Sequence, residues 1–325
     1  MKKTNTTHSN VFAFGKLALL AAAFSLVGVS GLHADDVVKG VQEFKDGKEL
    51  DGEERLRIPR EGDQYNPTAR LRFIGDKTTV TRAIEPQNNG RRGHGDGVIE
   101  VVKPDAVLTL TSLHGNNESG VYRRTHKRGL GTLVLAGDED NDGAKLVVWE
   151  GTVILAKDSD SGTHAQGSGF LEIYSTSTEN VGKGRPNVSG VVVLGGKGGD
   201  QIADEAPLVI GGVHSDRGGI LDLNTRTETV GGLGLTNGTL RFAFGGAPGK
   251  TGTLTVESES PIGATGKNTI DITDGASWAA GDYNLIKASE EIGEDVVATF
   301  TLKGLKNGKL SLGKDKKTLV LTVTK

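Results

Sequence analysis

The acidic run Asp138-Glu139-Asp140-Asn141-Asp142-Gly143 has the spacing of the first half of a calcium loop, alternate acids followed by a glycine for the sharp turn. A hard cation needs several oxygens. The bidentate acid expected at the twelfth position is absent, because Trp149 stands there and Glu150 follows it. Asp138, Asp140 and Asp142 are therefore either calcium ligands or part of a solvated acidic turn, and the missing acid favours the turn. No cofactor beyond that calcium is expected.

A second run, Gly195-Gly196-Lys197-Gly198-Gly199-Asp200-Gln201-Ile202, matches one copy of the calcium β-roll nonapeptide. Such rolls chelate between stacked copies, and the next nine residues do not repeat it. In a chain with 49 glycines a loop is the better reading. Tyr122-Arg123-Arg124-Thr125-His126-Lys127-Arg128 gathers permanent cations beside an aromatic ring. It suits an acidic polysaccharide or lipid headgroups, or else it is an exposed turn entering the next strand, which is preferred. Arg91-Arg92-Gly93-His94 is a weaker instance.

Catalytic constellations are scarce. His94, His114, His126, His164 and His214 lack the short paired spacing of a zinc site. There is no Gly-x-Ser-x-Gly elbow and no cysteine nucleophile. Glu172 and Asp222 sit on strand-like segments, yet an acid/base pair must flank one bond within roughly 5–10 Å. Two isolated acids read as surface charge, and no catalytic residue is assigned. Trp149 and Trp278 could stack on sugars, although packing explains each more simply.

What positions these residues is a succession of short strands. Around Gly131, Leu133 and Leu135 alternate with Thr132 and Val134, the period of a strand with one buried face. A glycine followed by such alternation recurs at Gly151, Gly169, Gly190, Gly219, Gly238 and Gly252, at intervals of roughly 14 to 29 residues. Periods near 20 residues mark a solenoid, whereas a β-sandwich, the alternative, repeats strands every 8–12 residues or so. The inward set is then Leu133 and Leu135; Val153 and Leu155; Leu171 and Ile173; Val192 and Leu194; Leu221 and Leu223; Leu240, Phe242 and Phe244; Leu254 and Val256. Scarce aromatics, nine Phe, four Tyr and two Trp, suit thin stacked layers.

The N-terminus reads as an export signal over residues 1–34. Lys2, Lys3 and Lys16 precede or enter an apolar stretch to Val29, and Leu32-His33-Ala34 suits cleavage before Asp35. The apolar run is shorter than the roughly 18 residues a spanning helix needs, and no later segment is long and apolar enough. Losing three lysines would make the mature chain more acidic than the net −3 of the whole, which argues against nucleic acid as a partner. An exported chain without cysteine must hold itself together by core and backbone ladders alone.

Gly129-Leu130-Gly131-Thr132-Leu133-Val134-Leu135-Ala136-Gly137, continued by Glu150-Gly151-Thr152-Val153-Ile154-Leu155, resembles the autotransporter-associated β-strand repeat, or passenger-associated transport repeat. Gly219–Asn224 leading to Val230–Leu233 is similar to the segment that often follows such repeats, and weaker echoes extend to Val256. The resemblance implies a right-handed parallel β-helix on the outside of a bacterium, commonly in adhesin-like proteins. Two departures stand out. The acidic loop replaces an Asn/Thr/Tyr-rich one, and no translocator barrel is expected in the residues after Val256, since such a barrel needs at least about eight amphipathic strands.

The expected organisation is a signal over 1–34, an N-terminal arm or cap over 35–66, a β-solenoid over 67–275, and an antiparallel β meander cap over 276–325. Val37, Val38, Val41 and Phe44 sit at helical spacing behind Asp35 and Asp36, so a short capping helix or an irregular arm is expected there. In the C-terminal part Asn307-Gly308 and Gly313–Lys316 are the expected hairpin turns, with Lys314, Lys316 and Lys317 blunting an edge. The function expected is that of an exported, non-catalytic surface, envelope or matrix component, periplasmic or extracellular, whose partner is a polysaccharide or another envelope component. A short β-helix lyase or hydrolase acting on carbohydrate is the alternative.

Overall fold

The computed structural model describes residues 37–59, 69–87, 95–115, 123–141, 143–158, 162–176, 188–197, 199–211, 218–245 and 250–325. Residues 1–34, expected to be an export signal, lie outside them. The chain opens with Val41–Phe44 (β1), Leu56–Pro59 (β2), Arg70–Phe73 (β3), Lys77–Val80 (β4), Ile84–Gln87 (β5), Gly95–Val101 (β6) and Val107–Leu110 (β7). Arg123–Arg128 (β8), Thr132–Gly137 (β9), Lys145–Val148 (β10), Thr152–Lys157 (β11), Leu171–Ile173 (β12) and Val191–Leu194 (β13) form the middle. Pro207–Ile210 (β14), Ile220–Asp222 (β15), Glu228–Val230 (β16), Gly232–Thr236 (β17), Thr239–Phe242 (β18), Leu254–Val256 (β19), Gly263–Thr265 (β20) and Asn268–Ile272 (β21) follow. The end comprises Gly281–Ala288 (β22), the helix Glu294–Ala298 (α1), Phe300–Lys303 (β23), Gly308–Leu312 (β24) and Thr318–Val323 (β25).

These strands wind into a parallel β-solenoid. One nine-stranded sheet runs β1-β3-β6-β8-β10-β12-β14-β17-β20, and a second runs from β4 through β7, β9, β11, β13, β15, β18 and β21 to β23. A third side begins as the pair β2-β5 and ends as the five-stranded sheet β16-β19-β22-β25-β24. Among the described strands only the β22–β25 and β24–β25 pairings are antiparallel, with one isolated antiparallel bridge between Ser175 and Ser189. The expected sandwich alternative is not what forms.

Register explains the core. Leu108, Leu133, Val153, Val192, Leu221, Leu240 and Ile270 stand opposite one another rung after rung in the second sheet, and all are buried. Every side chain expected to point inward is buried except Phe244, which packs only partly against the core. Gly129 and Gly151 turn the chain from the first sheet into the second with positive φ, +77° and +66°. These corners stack so closely that a Cβ on Gly151 would lie 2.5 Å from the Gly129 carbonyl oxygen.

The third side is held differently between β5 and β16. There the described backbone makes only isolated bridges, Ile84 with Leu113 and Gln166 with Ile202. Buried side chains complete the pairing. Asn141 accepts from the Leu113 amide at 3.0 Å and donates to the Ala165 carbonyl at 2.8 Å. The Gln166 amide nitrogen donates to the carbonyls of Ala144 and Gly169. Gln201 accepts from the Lys157 amide at 2.7 Å and donates back to the Lys157 carbonyl at 3.3 Å. The buried Glu228 accepts from the amides of Gln201 and Ile202. Buried backbone groups must be paired, and here amide and carboxyl side chains do it.

The two ends depart from expectation. Val41–Phe44 is a strand paired with β3, not a helix. One turn of helix is costly to nucleate, whereas a strand here continues an existing ladder and sets Phe44 5.2 Å from Phe73, ring to ring. At the other end β23 pairs parallel with β21 in the second sheet and is not part of the antiparallel meander. Asn307-Gly308 is consequently a corner between two sheets, while the β24–β25 hairpin turns through Gly313–Lys316 as expected. Lys314, Lys316 and Lys317 occupy that turn; the edge strand β24 itself carries Lys309. The helix α1 packs against β20 and β24. No helix among the described residues is long and apolar enough to cross a membrane.

Candidate binding face

The cationic run is not a turn. Arg123–Arg128 is β8, held in parallel register between β6 and β10. Alternation splits its side chains. Thr125 aligns with the inward Leu146, so Thr125 and Lys127 point into the solenoid and Arg124, His126 and Arg128 point out. Neighbouring rungs extend the outward set. Arg124 aligns with Lys145, and Phe170 continues that row just before β12. His126 aligns with Val147 and then Glu172. Trp149 and Tyr174, each one residue past its strand, continue the row of Arg128, their amides bonded to the carbonyls of Lys127 and Val148. Nine side chains thus form a grid with spacings of about 4.8 Å between rungs and about 6.6 Å along each strand.

The grid is chemically specific. The Trp149 indole N–H donates to His126 Nδ1 at 2.9 Å, and the two rings lie nearly parallel, 10° apart. Arg128 sits 5.3 Å over the indole, and the Tyr174 ring packs against it with ring centres 4.9 Å apart. Arg124 approaches Glu172 at 3.7 Å, and the Lys145 ammonium lies 5.9 Å over Phe170. Burial, then the Glu172 carboxylate that hydrogen-bonds it, pushes the Tyr174 phenol up to about 12. Burial, then Arg124, lowers the Lys145 ammonium. His126 and Arg128 are buried supports for Trp149, whereas Phe170 is 37% exposed and the Arg124 side chain 35% exposed.

Beneath the grid lies a buried lysine. Lys127 Nζ donates to the carbonyls of Arg128, Gly129 and Glu150 at 3.0, 2.7 and 3.0 Å. The Glu150 carboxylate accepts from the Gly129 amide at 2.8 Å. Burial holds the Lys127 amine down to about 7 against the opposing charges of Glu150 and Glu100.

The other sequence candidates do not converge. Glu172 and Asp222 lie on different sheets, and Asp222 instead pairs with Arg241 at 3.3 Å. Asp138 is exposed, and Asp140 accepts from the His164 amide at 2.8 Å. Asp142 lies outside the described residues. Burial lowers the nearby Lys157 amine, and Glu139, Asp140 and Asp138 oppose that shift, so this loop faces a lysine. Of the β-roll-like run, Asp200 accepts from the Thr229 amide at 3.1 Å and hydrogen-bonds Asp204, raising the latter's pKa. Gly198 lies outside the described residues. Among the described residues no group of three or more His, Asp or Glu could hold a metal ion.

His114 pairs with Ser112 at 2.8 Å, and Trp278 is packed between Phe244 and Tyr283. Tyr122, Arg91, Arg92, His94 and His214 lie outside the described residues. Sequence reasoning missed Lys145, Phe170 and Tyr174 as partners of β8. They join it only through register across rungs of unequal length. The one signal that could have found them is the alignment of Leu146 and Leu171 as successive inward residues.

Comparison with family models, with curated proteins and with solved structures returns no match for this chain.

Proposed function

We propose that the chain is an exported, non-catalytic β-solenoid of the bacterial surface, envelope or matrix, acting through its extended outer faces. The observation that carries this reading is the stacking of like with like on the second sheet. Val107, Thr132, Thr152, Val191, Ile220, Thr239, Thr269 and Thr301 align outward, every one β-branched. Beside them Thr109, Val134, Ile154 and Val193 align, and the row then becomes the charge ladder Asp222, Arg241, Asp271 and Lys303. A long partner meets the same group at each rung, so weak contacts multiply. The leader-like N-terminus and the resemblance of Gly129–Leu155 to passenger repeats support export.

The test is to express the full chain in a Gram-negative host, isolate it from envelope and medium, and determine its N-terminus. The expected mature protein begins at Asp35 and leaves incubated polysaccharides at their original length. Retention in the cytoplasm overturns the export, and shortening of any polysaccharide overturns the non-catalytic reading in favour of a lyase or hydrolase.

A further inference from the structure

We infer that the outward grid of β8, β10 and β12 binds a polysaccharide with carboxylates on its sugar rings. The inference rests on the exported, surface-acting reading and names the partner of one face. Arg124 and Lys145 stand on adjacent rungs, about 4.8 Å apart at the backbone, with Phe170 next in their row. Arg124 meets Glu172 only at 3.7 Å and through one nitrogen, and a guanidinium carries five donors, which suits it to a second carboxylate. Trp149 and Tyr174, half-buried and packed on each other, form the far edge of the grid and are fixed there by His126 and Arg128. The C–H face of a pyranose ring stacks on the exposed Phe170 ring while its hydroxyls and carboxylates reach Arg124, Lys145 and the polar rim.

Length follows from the geometry. Four residues of strand, about 13 Å, separate the row of Arg124 and Lys145 from the row of Trp149 and Tyr174. A ligand using both rows must span more than one sugar unit. A membrane surface fits less well, since headgroup binding uses clusters of roughly four to eight basic residues. Here Arg124, Lys145 and the buried Arg128 are accompanied by Glu172.

The experiment titrates the mature protein with polygalacturonate, with galacturonate monomer, with the methyl-esterified polymer, and with phosphatidylglycerol vesicles, at low and high salt. Expected is binding to polygalacturonate that strengthens with chain length and weakens with salt, with little binding to the monomer or ester. Arg124→Ala with Lys145→Ala should weaken it at least ten-fold and flatten the salt dependence. Phe170→Ala, at an exposed position that leaves the fold intact, should weaken it several-fold with the salt dependence unchanged. No binding to polygalacturonate, equal binding to the ester, binding to vesicles alone, or variants equal to wild type each overturns the inference and leaves the surface role standing. Binding followed by chain shortening overturns the non-catalytic role and leaves the ligand class standing.

Discussion

Replacing Lys127 by Met keeps the unbranched stem and removes the ammonium. Three carbonyl oxygens at 2.7–3.0 Å then lose their donor, and the carboxylate of Glu150 loses the cation facing it. Removing one partner of a buried pair costs about 3–5 kcal/mol, a large part of a typical domain's stability. The cost depends on pH. The folded amine titrates near 7 and the unfolded one near 10.5. Between those values the unfolded chain binds a proton that the folded chain has released, so wild-type stability rises with pH in this window. The rise is about 1.4 kcal/mol per unit, it is absent below pH 7, and the Met variant lacks it.

Urea unfolding followed by Trp149 fluorescence, in a Trp278→Phe background, measures both quantities. The gap between wild type and variant should be near 3 kcal/mol at pH 6.5 and should widen through pH 8. A variant as stable as wild type would refute the reasoning. So would a gap that stays flat from pH 6.5 to 8, because it would mean the three carbonyls and Glu150 keep the amine charged throughout.

In the aliphatic column, Leu133→Ala should cost about 2–5 kcal/mol in denaturant unfolding, and Thr132→Ala on the outward face of the same strand about 0.5 kcal/mol or less. Gly151→Ala combines a positive φ with a Cβ 2.5 Å from the Gly129 carbonyl; circular dichroism melts should show a loss of at least about 2 kcal/mol. Glu228 has its pKa raised by burial and by Asp200, so the folded carboxyl keeps a proton that the unfolded one loses above pH 4.5 or so. Stability therefore falls as pH rises from that value through the folded pKa. Glu228→Gln should consequently be the more stable protein at pH 7 and indistinguishable at pH 4, and a stabilisation independent of pH would count against the shifted carboxyl.

How much of this was legible from sequence depends on what holds each side. Leu133, Val153, Val192 and Leu221 announce themselves because an aliphatic face must alternate, and Gly129 and Gly131 mark a corner whose backbone leaves no room for a side chain. The middle of the third side gave no such signal, unlike β19, where Leu254 and Val256 alternate. Where Asn141, Gln166 and Gln201 pair the backbone, nothing alternates, and polar residues read as loop. β8 was hidden for a related reason: its inward positions are Thr125 and Lys127, so a strand rich in charge resembles a solvated turn. The binding grid was the least legible feature, since Arg124, Lys145, Phe170 and Tyr174 become neighbours only once the rungs are in register.

The amide-bonded third side also limits how modular the solenoid is. Aliphatic columns are interchangeable, so one coil can stand in for another wherever Leu meets Val. Asn141, Gln166 and Gln201 each reach a particular carbonyl on a particular neighbouring coil. Excising or duplicating a single coil in that region would hand the side chains that bridge the cut the wrong partner, while the same edit among β16, β19 and β22, where backbone pairs with backbone, would preserve the bonding. Growth or shrinkage of this molecule by whole coils is therefore easiest at its ends, at β2-β5 and from β16 onward, where backbone pairs with backbone.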